Sequence, residues 1–134
     1  MPNIGTATSS PATSIVTTAE TLAVNIPVMP LALPGGSPQQ VIIRGGVVVT
    51  TGASTTQLSV KLRVGQNNTT TAQVGNTETE VAAAAATLYV PFEFVDLVPG
   101  DLTGSGYSVT VSQVAATGNG TIVQVVYEID YTIP

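Results

Sequence analysis

Apolar and polar residues alternate with a period of two along most of this chain. Leu22, Val24, Ile26 and Val28 are separated by Ala23, Asn25 and Pro27. The cleanest run sets Leu58, Val60, Leu62 and Val64 against Ser59, Lys61 and Arg63. Leu88, Val90, Phe92 and Phe94 alternate with Tyr89, Pro91, Glu93 and Val95. Tyr107, Val109 and Val111 alternate with Ser108, Thr110 and Ser112, and Val123, Val125, Tyr127, Ile129, Tyr131 and Ile133 with mostly polar partners. Successive side chains of a strand point to opposite faces, so each run predicts a strand with one face in a core. Pro27 predicts a sheet edge or a bulge for the first of them. Residues 40–51 (QVIIRGGVVVTT) predict a long strand, with Gly45-Gly46 marking a bulge or bend in its middle.

The stretches between these runs read as connections. Met29 to Pro38 carries three prolines and two glycines and is a loop, whose Leu31 and Leu33 need cover from the core or from a neighbour. Residues 66–80 are polar and hold at most a weak strand. The alanine run 81–86 is far shorter than the ~12 residues an isolated helix needs. Asp96 to Gly106 is turn-rich. Residues 1–13, small and polar with two prolines, read as an extended N-terminal arm, and 14–134 as one sandwich domain. Seven or eight short strands, no long helix and no repeat predict an all-β fold, a two-sheet antiparallel sandwich or barrel.

Register narrows this further. If Asn119-Gly120 formed a two-residue hairpin, Val111 would oppose Glu128 and Val109 would oppose Asp130, mixing apolar and acidic side chains on a buried face. A three-residue loop would instead pair Val111 with Tyr127, as an immunoglobulin-like sandwich does. Alternatively the two strands lie in different sheets, as in a jelly roll. Both remain compatible with the sequence.

Composition sharpens the picture. Val and Thr, both β-branched, supply 20 and 21 of the 134 residues. Only 8% of residues are charged, against roughly 25% in an average soluble domain. Such a hydroxyl-rich exterior is cheap to desolvate, which predicts contact with other subunits. A net charge of −5 with three basic residues argues against nucleic-acid binding. No apolar run reaches the ~20 residues of a membrane helix, and residues 1–12 lack the basic and apolar regions of a secretory signal. Export by the general secretory route is therefore not expected, while export by lysis within a particle stays open.

Candidate chemistry is sparse. With no His and no Cys, Ser-His-Asp and Cys-His catalysis and most transition-metal sites are ruled out. No enzyme activity and no cofactor are expected. Glu128 and Asp130 share one face of the last strand and read as a solvated pair partnered by Lys61 and Arg63. Glu93, Asp96 and Asp101 flank a DLVPGD loop and supply oxygen ligands of the type calcium takes, although without the D-x-D-x-D-G pattern. Gly104-Ser105-Gly106 is loop punctuation, since no lysine follows it.

From Arg44 onward the chain resembles the small jelly-roll domains of tailed-phage structural proteins, akin to the tumour-necrosis-factor-like trimeric fold. The resembling pieces are RGGVVVTTGASTTQLSVKLRVGQ (44–66), PFEFVD (91–96) and GYSVTVSQVAATGNGTIVQVVYEIDYTI (106–133). They are patterns of alternation and turn placement, and no site residues carry over with them. The resemblance implies a homotrimer with a structural role on a virion. The reading taken forward is a capsid decoration or cement subunit that binds the major capsid protein, with Ile4, Ile15, Val16, Leu31 and Leu33 as interface residues. The alternative is a carbohydrate-binding or adhesin module of a tail fibre or spike, with Tyr89 or Tyr107 as its contact.

Overall fold

The computed structural model describes residues 3–9, 13–15, 20–26, 40–50, 57–67, 69–81, 87–97, 104–113 and 120–132. They form nine strands: β1 (Asn3–Ser9), β2 (Thr13–Ile15), β3 (Thr21–Ile26), β4 (Gln40–Thr50), β5 (Gln57–Val64), β6 (Gln73–Val81), β7 (Thr87–Asp96), β8 (Tyr107–Gln113) and β9 (Gly120–Thr132). All pairings are antiparallel. One sheet runs β1-β9-β4-β7, with β2 pairing the start of β9, and the other runs β3-β8-β5-β6. Counting β1 and β2 as one interrupted strand, this is an eight-stranded jelly roll. Among the described strands, β5–β6 is the one pair both consecutive in sequence and hydrogen-bonded; every other connection crosses between sheets. The register conflict at Asn119-Gly120 is thereby resolved. β8 and β9 lie in different sheets, so Val111 does not pair with Tyr127 and the immunoglobulin-like alternative is excluded.

The inward faces of both sheets meet in one core. Val41, Ile43, Val47 and Val49 of β4, Leu58, Val60 and Leu62 of β5, and Val90, Phe92 and Phe94 of β7 are buried there. Tyr107, Val109 and Val111 of β8 and Val125, Tyr127 and Ile129 of β9 complete it. Each such side chain contributes about 1.5–3 kcal/mol when fully buried. The hydroxyl of Tyr107, on one sheet, donates to Asp96 Oδ2 at the end of β7 in the other, at 2.6 Å.

Four sequence expectations are corrected. In β3, Ala23 and Ile26 are buried, while Leu22 and Val24 are only partly so. A bulge between Leu22 and Val24 shifts the alternation by one residue. In β4 the register runs unbroken through Gly45 and Gly46 on both sides. The bulge in the β4–β9 pair lies further along and belongs to β9, where Gln124 and Ile122 oppose the consecutive Val48 and Val49 and leave Val123 as the extra residue. Residues 73–81 form a full edge strand, not a weak one. Polar residues on both of its faces, with Glu78 opposite the inward Val60, and its interruption around Gly75, where φ is +68°, hide the period. Finally, Glu128 and Asp130 are not partnered by Lys61 and Arg63, which sit on the opposite sheet.

The N-terminal stretch is extended over β1 and β2, and its backbone runs along β9 of its own chain, from Asn3↔Asp130 to Ile15↔Gly120. A bulge between Asn3 and Gly5 leaves Ile4 as the unpaired residue. Ile15 pairs with Gly120. Val16, Leu31 and Leu33 lie outside the described residues.

Candidate binding face of the first sheet

The register of β4 determines what gathers on the outward face of the first sheet. Arg44 lies directly opposite Glu93 of β7 on one side and Glu128 of β9 on the other. Its Nε is 3.5 Å from Glu93 Oε2 and its Nη1 is 3.4 Å from Glu128 Oε1. Nη1 also donates to Asp130 Oδ2. One guanidinium thus serves three carboxylates brought from two other strands, and the group carries a net charge of about −2 (one cation against three anions). Arg44 is partly exposed and Glu93 more so, while the Asp130 side chain is nearly covered, at 7%.

Two residues further along β4, Gly46 leaves a gap in this face. A Cβ built there would lie 2.1 Å from Tyr89 Cζ and 2.3 Å from its hydroxyl oxygen. The far end of the Tyr89 ring, reaching diagonally from β7, therefore fills the place a side chain at 46 would take. Tyr89 remains 52% exposed. Pro91, between Tyr89 and Glu93, is tolerated because β7 is an edge strand of its sheet. The face thus combines one half-exposed aromatic ring, held from beneath, with a charged cluster on its neighbouring strands.

The outward face of the second sheet is built differently. Arg63 of β5 donates from Nε to Glu20 Oε1 at 3.0 Å and from Nη2 to Glu20 Oε2 at 2.6 Å, while its Nη1 reaches the Thr71 carbonyl at 2.7 Å. Thr110 of β8 donates to the same Glu20 Oε1 at 2.6 Å. Each of these side chains has a geometric partner, and the cluster is mainly covered. Burial acts to raise the Glu20 carboxyl, but the hydrogen bonds from Arg63 and Thr110 and the nearby positive charges outweigh it, leaving its pKa below the ordinary value. Glu20 raises the Arg63 pKa in turn. A carboxylate lowered in this way stabilises the fold above the ordinary glutamate pKa of about 4.3, and that contribution fades as pH falls through the lowered value. Glu20→Gln is accordingly expected to cost about 2 kcal/mol near neutral pH. In urea unfolding the variant and parent should converge as pH approaches about 2. An equal gap at both pH values would show that charge is not what Glu20 contributes.

The calcium candidates are not brought together. Glu93 faces outward toward Arg44, whereas Asp96, three residues on along the same strand, faces the core and accepts from Tyr107. An odd spacing puts the two on opposite faces of β7. Asp101 lies outside the described residues, and no metal-ligating group of three is present among those described. Tyr107 is wholly buried and offers no surface contact. A cleft of about 340 Å³ opens between the β6 and β7 edges, with Val74, Gly75, Val95 and the exposed Leu97 among its walls.

No protein-family model matches this chain, and no curated protein matches it. Solved structures do. The subunit of the Bacillus endospore appendages, a family of disulfide-linked pili, is 12% identical, with a TM-score of 0.42 over 100% of this chain and 93% of the other. The xylan-binding module CBM15 is 15% identical, with a TM-score of 0.44 over 92% and 87%. A chain of infectious bursal disease virus, Gt strain, is 11% identical, with a TM-score of 0.44; the match covers 98% of this chain and only 31% of the viral one. These values mark distant likeness, and none of them bears on function.

Proposed function

We propose that this protein is a virion structural subunit of the capsid decoration or cement type, that it assembles as a homotrimer, and that it binds the exterior of a major capsid protein. On this reading it is not an enzyme, takes no cofactor, and engages neither nucleic acid nor membrane. The supporting observation is how few side chains on the exterior are charged, 8% of the chain. Both arginines are engaged by carboxylates of their own chain, on opposite outward faces, and most other outward strand positions carry hydroxyl, amide or aliphatic groups. Such surface loses little solvation free energy when a neighbour covers it. The rigid sandwich supplies the body, and the segment along the β9 edge supplies main-chain groups of the kind used in strand addition.

The test is occupancy on particles. The purified chain, mixed with capsids that lack it, should co-sediment at a fixed ratio to the capsid protein, and light scattering of the free chain should give a trimer mass. A monomer that stays at the top of the gradient overturns the reading. Ile4→Asp probes the N-terminal segment while leaving the β1 register with β9 in place, because Ile4 is the bulged residue. Occupancy should fall at least tenfold. Unchanged occupancy would remove that segment from the interface.

A further inference from the structure

We infer that the outward face of the first sheet is a binding site for neutral polysaccharide, centred on Tyr89 and the Arg44 cluster. This does not rest on the virion reading and would hold for a chain of any location. Its foundation is the pairing of an aromatic platform with fixed hydrogen-bonding groups. The Tyr89 ring is seated in the gap left by Gly46 and is 52% exposed. Arg44 is two residues along the same face, roughly 7 Å away, the scale of one sugar ring. A pyranose lying against Tyr89 would bring its hydroxyls to the Arg44 guanidinium and to the Glu93 carboxylate. Guanidinium N–H groups donate to hydroxyl oxygens, and carboxylates accept from hydroxyl hydrogens.

Two features favour a sugar over a protein surface at this place. Tyr89, the one exposed aromatic among the described side chains, shares its face with the charged Arg44 cluster, and dry protein interfaces exclude charge from their centres because its desolvation is costly. A polyhydroxylated ligand replaces the lost water with hydroxyl groups of its own. The groups are also held in place by ion pairs to one another, so little side-chain freedom is lost on binding. Charge then sets the class of polymer: three carboxylates against one guanidinium repel uronate-rich or sulfated chains and leave neutral ones.

The experiment is a glycan array followed by titration with the neutral polymers dextran, mannan and galactan, with polygalacturonate as the acidic comparison. The intact chain should bind at least one neutral glycan and reject polygalacturonate. Tyr89→Ala should weaken binding about tenfold, and Glu93→Gln by less. Gly46→Ala supplies a variant that alters no ligand-contacting group. The atoms nearest its new methyl are all at the tip of the Tyr89 side chain, which can swing away, so the thermal midpoint should hold while affinity falls with the displaced ring. Absence of binding to every neutral glycan overturns the inference, as does binding that neither Tyr89→Ala nor Gly46→Ala affects. Loss of binding to a protein partner alone in these variants would identify the face as a protein interface and overturn it equally.

Discussion

Gly45→Ala should largely prevent folding, whereas the same change at the neighbouring Gly46 should be mild. A Cβ at Gly45 would stand 1.9 Å from the Val126 carbonyl oxygen and 2.8 Å from the Tyr127 Cα. Both are backbone atoms of β9, the strand next to β4 at the centre of the first sheet. Neither can yield unless the two strands separate, which would break the ladder from Gln40↔Thr132 to Thr50↔Thr121. The cost should exceed about 3 kcal/mol, a large share of the 5–15 kcal/mol that stabilises an ordinary domain. At Gly46 the obstacle is a movable side chain. Urea unfolding of the two variants side by side is the check; similar midpoints would show that the β4–β9 approach is looser than described.

The second large effect is expected at Phe94. It is 1% exposed and its ring stacks on Phe92 with centroids 5.1 Å apart. Both rings project inward from β7 into the core between the two sheets. Phe94→Ala should cost about 3–5 kcal/mol through lost burial and the cavity left behind. Phe94→Leu should recover a good part of that. The urea midpoint should shift without change of slope, because the surface exposed on unfolding is nearly unchanged. A loss below about 1 kcal/mol for the alanine variant would mean that the sheets close over the gap.

Much of this fold was legible from alternation, and the parts that were not share a physical cause. The inward residues of β5, β7 and β8 follow directly from period two, because those strands carry an unbroken alternating row of large aliphatic or aromatic residues on the core face. The placement of β8 and β9 in different sheets was one of two solutions to a register conflict, and only tertiary pairing could choose between them. β6 was read as a weak strand at most because an edge strand needs little apolar content: of its side chains Val74 is buried, while Asn76, Thr77 and Thr79 are exposed. β3 keeps the expected phase at Val24 and Ile26 but not at Leu22, because a bulge adds one residue without leaving a mark in composition. The Gly45-Gly46 pair was correctly read as special, but the reason is close approach of β9 and of Tyr89 rather than a bend. The Arg44 cluster could not be found locally at all. Arg44 lies 49 to 86 positions from its three carboxylates in the sequence, and only the strand order makes them neighbours.

That strand order also governs how the chain can reach its native state. β9 is the last of the nine strands to leave a ribosome, yet it sits between β1 and β4. Until it emerges, the N-terminal residues have no partner and β4 presents an open Val-rich margin. The β5–β6 hairpin is the one described pairing that can form early and locally. Acquisition of structure should therefore be slow and largely post-translational, as expected when almost every pairing closes a long loop. A nascent chain stalled before residue 120 would be an aggregation hazard, one that calls for a chaperone or for prompt completion of synthesis.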